Sequence, residues 1–173
     1  MPIKKKLNFK PIIWFTGPPG SGKTTISRLF YRLLVKKKYK KIKLIDGDQF
    51  RKKIKNFGYS KFDRNKVGDI KLKYGKKFNS KGYITLISGV ASNRNWRSKI
   101  KKINLNLIEV YVKCSKIILK KRNKKNLYIE NKVEKYQEGR TKDITINSYS
   151  QSGKESAQKI FKYLINKKKL EKN

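Results

Sequence analysis

The residues Gly17-Pro18-Pro19-Gly20-Ser21-Gly22-Lys23-Thr24 fit the pattern G-x-x-x-x-G-K-[ST] in full. Glycines in such a loop let backbone N–H groups turn inward and approach a phosphate closely, and a helix behind the loop adds the positive end of its dipole. The spacing assigns Lys23 to the β- and γ-phosphates of ATP and the Thr24 hydroxyl to Mg²⁺, with Thr25 beside it. A second pair of chemical groups follows. Asp46 and Asp48 flank Gly47 in a chain where 11 acidic residues face 48 basic ones. A magnesium–triphosphate site needs carboxylates near the metal, and phosphoryl transfer to an alcohol needs a group to take the hydroxyl proton. On extended backbone the two aspartates point the same way, into one cleft. Asp48, ahead of Gln49-Phe50-Arg51, also fits a helix N-cap, and a cap at that place still borders the cleft.

These groups need a frame. Pro11–Thr16 reads as a buried strand ending at the glycine loop, and 23–37 as an amphipathic helix with Ile26, Leu29, Phe30, Leu33 and Leu34 at helical spacing. Lys43–Ile45 is a second strand, 49–56 a helix broken by Gly58, and Ser60 with Asp63 caps a helix running to about Asn79. Strands at 83–88, 107–112 and 143–146 alternate with helices at 97–103, 115–124 and 154–168. The alternation predicts an α/β fold of the P-loop NTPase type. It is a three-layer sandwich with a mainly parallel five-stranded sheet and helices on both faces, in one domain over 1–173. Ligands then belong at the carboxyl ends of the strands, where both the loop and the aspartates fall. Residues 125–142 have no clear period and read as a lid, and the termini 1–9 and 167–173 are expected to fray.

Composition excludes several classes. No apolar stretch reaches the roughly 18 residues of a membrane span. The start lacks a signal-peptide cleavage pattern, and the expected location is the cytoplasm. With no His and the single Cys114, a structural zinc site or internal disulfide is not expected. The formal charge of +37 is spread along the chain and comes with no reader motif. It implies nonspecific polyanion binding in low salt, not a specific nucleic-acid partner.

Three blocks together resemble adenylylsulfate kinase: Gly17–Thr25, Leu44–Arg51 and Gly58–Arg64, the last two as L-I-D-G-D-x-x-R and G-Y-S-x-x-D-R. Further on, 108–112 and 121–128 resemble that family's E-V-Y-V strand and K-R-N…N-L-Y segment. The resemblance implies transfer of the ATP γ-phosphoryl group to the 3′-hydroxyl of adenosine 5′-phosphosulfate. By matching positions, it implies that Asp46 and Asp48 organise Mg²⁺ and accept the proton, and that Arg51 and Arg64 hold the anionic acceptor. Arg forks suit that task, since they bind phosphate and sulfate bidentately. Phe57 and Tyr59 are candidates to stack on an adenine, ordinary packing being the competing reading. Arg122 falls at the donor contact and Ser92 at an active-site serine. Departures lie on the acceptor side. Val67 and Asp69 replace an Asn and an Arg, the loop 90–97 loses its proline and arginine spacing, and the lid lacks P-Y-E-x-P. Two other readings therefore stay open: a related kinase for a sugar or nucleoside derivative, and a non-catalytic nucleotide- or RNA-binding protein. A homodimer is carried as an expectation.

Overall fold

The computed structural model describes residues 10–54, 58, 60–122, 135–140 and 142–170. The elements are β1 (Ile12–Thr16), α1 (Lys23–Lys36), β2 (Ile42–Ile45), α2 (Gly47–Lys53), α3 (Lys61–Asn79), β3 (Ile84–Ser88), α4 (Arg94–Ile103), β4 (Leu107–Lys113), α5 (Lys116–Lys121), β5 (Ile144–Asn147) and α6 (Gly153–Asn166). All strand pairs are parallel, in the order β2-β3-β1-β4-β5. The mainly parallel sheet expected from the sequence is thus wholly parallel among the described residues. Its central strands are buried on both faces, which is why they read as continuous apolar runs rather than alternating ones.

Each face has its own core. On one, α1 and α6 lay Ile26, Phe30, Leu34, Ala157, Ile160 and Leu164 against Ile13, Phe15, Leu86, Val110 and Val112. Each fully buried Val, Leu, Ile or Phe side chain among these contributes about 1.5–3 kcal/mol. On the other, α3 and α4 cover Ile12, Trp14, Ile87 and Leu107 with Leu72, Trp96 and Ile100. Residues 167–170, expected to fray, turn back instead: Leu170 is buried in the first core, and Lys169 N–H donates to Leu164 O. An apolar side chain at the end of a charged tail found a place beside α6. Residues 1–9 and 171–173 lie outside the described residues.

Caps set where the helices that carry site residues begin. Ser60 Oγ accepts from Asp63 N at 3.1 Å, as its spacing predicted. Asn93 Oδ1 accepts from the N–H groups of Asn95 and Trp96, so α4 starts at Arg94, three residues earlier than the sequence suggested. At α2 the cap is Asp46, not Asp48. Asp46 Oδ1 accepts from Asp48 N at 3.1 Å and Gln49 N at 3.4 Å. β2 ends at Ile45 as the sequence suggested, and the helix begins at Gly47 directly after Asp46, so the cap falls two residues before Asp48.

Candidate active site

A cleft of about 780 Å³ opens at the carboxyl ends of β1, β2 and β3. The phosphate loop forms one wall. Gly17 holds φ 141°, and a Cβ there would stand 2.5 Å from Val112 O, so only glycine fits between the loop and β4. Pro18 and Ser21 shape the turn through Ser21 N–H to Pro18 O at 3.2 Å. Pro19, Gly20, Gly22, Lys23, Thr24 and Thr25 line the cleft. Lys23 Nζ donates to Pro18 O at 2.6 Å and Ser21 Oγ at 3.4 Å. Burial lowers the Lys23 pKa to about 7, against the attraction of Asp48. A phosphate beside it would restore the charged form. Arg122, the C-cap of α5, reaches the same wall.

The two aspartates have parted roles. Asp46 is 7% exposed, and its second oxygen is 3.3 Å from the Arg28 guanidinium. With one oxygen on two backbone N–H groups and the other on Arg28, it does not line the cleft. The expectation that both carboxylates point in together is corrected accordingly: the turn into α2 directs Asp46 to its own helix end. Asp48, in the first turn of α2, does line the cleft, near Lys23 and Lys71. Thr24 offers a hydroxyl with no hydrogen bond to the described residues. Its oxygen and the Asp48 carboxylate are the hard donors that suit Mg²⁺, which keeps several waters and takes the rest of its shell from phosphates. That set fits the ion. Asp46, assigned as a metal ligand from the sequence, has its oxygens engaged elsewhere. Among the described residues no cluster of three or more His, Cys, Asp or Glu forms a metal cage.

The opposite wall holds Arg51 and Arg64. Arg51 Nη1 also donates to Gly58 O at 2.8 Å, which ties α2 to the connection before α3. Phe57 and Tyr59 lie outside the described residues. Ser92, expected among the catalytic groups, is 1% exposed and is not among the residues lining the cleft. Its carbonyl accepts from Arg97 Nη1 and Gln137 N, each at 3.1 Å. The loop 90–97 folds inward around Arg97, and a serine on that side of it faces protein rather than substrate. Of the lid segment, 125–134 and 141 lie outside the described residues, while 135–140 is tied down. Tyr136 stacks on Tyr111 with ring centroids 5.4 Å apart, and its hydroxyl is 3.0 Å from Thr16 Oγ1.

Sequence reasoning missed two groups. Lys71, two turns along α3 from Arg64, is 6% exposed and lines the cleft floor. Its signal was the seven-residue spacing from Arg64, which puts both on one helix face. The other is the buried pair of Arg97 and Glu109, with Nε 2.8 Å from Oε1 as an ion pair whose N–H does not point along the contact. Nothing in the spacing of 97 and 109 announces it.

A phosphate loop on β1, a carboxylate near its lysine and a wall of cations opposite are the parts of a P-loop kinase. The fold agrees. The APS kinase of Mycobacterium tuberculosis, solved with AMPPNP and APS, superposes with a TM-score of 0.81 at 22% identity, covering 90% of this chain and 97% of that one. The adenylylsulphate kinase family model matches residues 10–157. The chain belongs to the adenylylsulphate kinase family, and it is a kinase. Among its relatives, the Archaeoglobus fulgidus protein named "Probable adenylyl-sulfate kinase" is 35% identical over 118 residues, 68% of this chain and 76% of that one. The cytidine diphosphoramidate kinase of Campylobacter jejuni is 32% identical over 117 residues, 68% of each chain.

Proposed function

We propose that this kinase transfers the γ-phosphoryl group of ATP to the 3′-hydroxyl of adenosine 5′-phosphosulfate. The observation that carries the reading is the collection of Lys23, Asp48, Arg51 and Arg64 around one cleft. The acceptor oxygen attacks the γ-phosphorus, the bond from that phosphorus to the bridging oxygen breaks, and ADP leaves. Asp48 takes the hydroxyl proton. Lys23 and the loop N–H groups hold the β- and γ-phosphates as charge shifts toward ADP. Arg51 and Arg64 orient the acceptor anion. Thr24 and Asp48 would hold Mg²⁺, which supplies neutralisation of the phosphate charge when bound. Arg122 contacts the donor nucleotide. The reaction belongs to the cytoplasm, and a homodimer is the assembly that light scattering would check. Among the described residues no helix is long and apolar enough to cross a membrane.

A second reading has its own support. The acceptor is another nucleoside phosphate derivative, as the name of the Campylobacter jejuni relative says of that protein. Asp69, where the resemblance leads one to expect an arginine, accepts from Trp96 Nε1 at 2.9 Å and does not line the cleft. Transfer from radiolabelled ATP to adenosine 5′-phosphosulfate, cytidine diphosphoramidate and a sugar, side by side, decides between them. Labelling of the first acceptor alone is the expected result. Labelling of the second alone overturns the first reading in favour of the other.

A further inference from the structure

Two of the residues that depart from the family pattern, Asp69 and Trp96 of the loop 90–97, pack together. A Cβ on Gly68 would stand 2.5 Å from the Trp96 ring, so the indole lies directly on the helix backbone there. Trp96 also meets Trp14 edge-on with centroids 5.4 Å apart, and its N–H is held by Asp69. Position 69 therefore faces α4. One helix face further round, Arg64, Val67, Gly68 and Lys71 look into the cleft. The Lys71 ammonium lodges between the carboxyl ends of β2 and β3. A Cβ on Gly47 or on Gly89 would stand only 3.2 or 3.1 Å from Nζ, so both glycines leave room for this head group.

Arg28, Arg97, Lys101 and Lys142 are in ion pairs with carboxylates, and Lys71 is not, among the described residues. Burial and the Arg51 charge lower its pKa to about 8, with Asp48 and Asp46 opposing. Lys23, Arg122, Lys71, Arg51 and Arg64 bring five cations to a cleft whose lining carries Asp48 as its one carboxylate among the described residues. A cleft of that sign suits a ligand with several negative charges. One ATP serves Lys23 and Arg122. The other three cations sit on the acceptor side.

We infer that Lys71 is a specificity-determining ligand for the acceptor: with Arg51 and Arg64 it grips a phosphoanhydride-type group, supplying from residue 71 the cation that residue 69 does not provide. This rests on the kinase reading above but not on which nucleoside the acceptor carries. A phosphosulfate and a diphosphate share the chemistry the site needs, two linked tetrahedral anions. A neutral sugar does not have it.

The test fills the donor loop with AMPPNP and magnesium, then titrates inorganic pyrophosphate and, in a separate arm, adenosine 5′-phosphosulfate. Calorimetry reads affinity. Trp14 lines the cleft, its Nε1 has no hydrogen-bond partner, and it lies 3.7 Å from the point where a Gly89 Cβ would be. With two tryptophans in the chain, Trp14→Phe assigns its indole N–H resonance, which then reports on the subsite. Lys71→Met keeps length and apolar stem and should weaken pyrophosphate about 10- to 100-fold, the usual loss of a charge-assisted hydrogen bond, with AMPPNP affinity unchanged. Lys71→Arg should recover part of it. Wild-type binding that leaves the Trp14 resonance still, no binding by wild type, or equal binding by Lys71→Met overturns the inference. Pyrophosphate binding that depends on Lys71, in a protein that phosphorylates no acceptor, supports this subsite and sinks the proposed function instead.

Discussion

The two faces of the sheet are built by different rules. The face under α1 and α6 is mainly apolar, with Ser27 and Ser156 as buried hydroxyls on those helices, and under the proposed mechanism it supports the donor half of the cleft. The face under α3 and α4 mixes two tryptophans with buried Lys71, Arg97 and Glu109, and under the proposed mechanism it underlies the acceptor half. The glycine loop takes its shape from its own torsions, so a short stretch is enough to specify it. The cations of the opposite wall are side chains, and each one's place depends on what packs behind it.

The largest expected effect falls on the donor half. Lys23→Ala should abolish transfer, a loss beyond the roughly thousandfold that removing one fixed electrostatic donor costs, with the melting temperature little changed. Turnover near wild type would break the contrast at its root. Next comes the polar face. Glu109→Gln leaves the Arg97 charge without its carboxylate in a site where Arg97 is 2% exposed. It should cost about 3–5 kcal/mol in urea unfolding and speed amide exchange at Gln137, whose carbonyl accepts from Arg97 Nη2 at 2.5 Å. A cost near zero would mean that this face is no more specialised than the other.

Asp48→Asn should lower turnover about a hundredfold, since an amide cannot take the proton, and should raise the Mg²⁺ concentration needed for half-maximal rate, since a neutral amide is the weaker ligand. Folding survives because Asp46, not Asp48, caps α2. Normal turnover would leave Asp48 as a cleft ornament and remove the general base from the acceptor side. The smallest effect is on pH dependence. Lys23 and Lys71 have pKa values lowered to about 7 and about 8, against 10.5 when unfolded. Between pH 7 and 9 the unfolded chain therefore binds more protons than the folded one, and stability rises with pH. Urea midpoints at the two pH values read it. Saturating AMPPNP with magnesium should flatten the Lys23 share and leave the Lys71 share, which Lys71→Met removes.

Much of this was legible in the sequence. The Gly17–Thr24 loop, the strand ends carrying Asp46 and Asp48, and the Ser60 cap are local signals, each set by spacing within a few residues. They gave the all-α/β order and the place of the cleft. The cap at Asp46 escaped because both aspartates of Asp46-Gly47-Asp48 are good cap residues, and the turn that chooses between them leaves no local mark. Ser92 was misjudged because its role was carried by position, whereas its orientation depends on Arg97, whose Nη1 donates to the Ala91 carbonyl from within the loop's own helix.

What the sequence determined by itself is the phosphate loop, because backbone N–H groups, glycine torsions and a helix start all lie within one short stretch. What only the tertiary structure decided is which cations face the cleft. Asp69 and Lys71 are two residues apart on one helix, so they point to different faces. Which of those faces is the cleft depends on Trp96 arriving from α4 to cover Gly68 and hold Asp69. That contact spans 27 residues of chain and leaves no local mark.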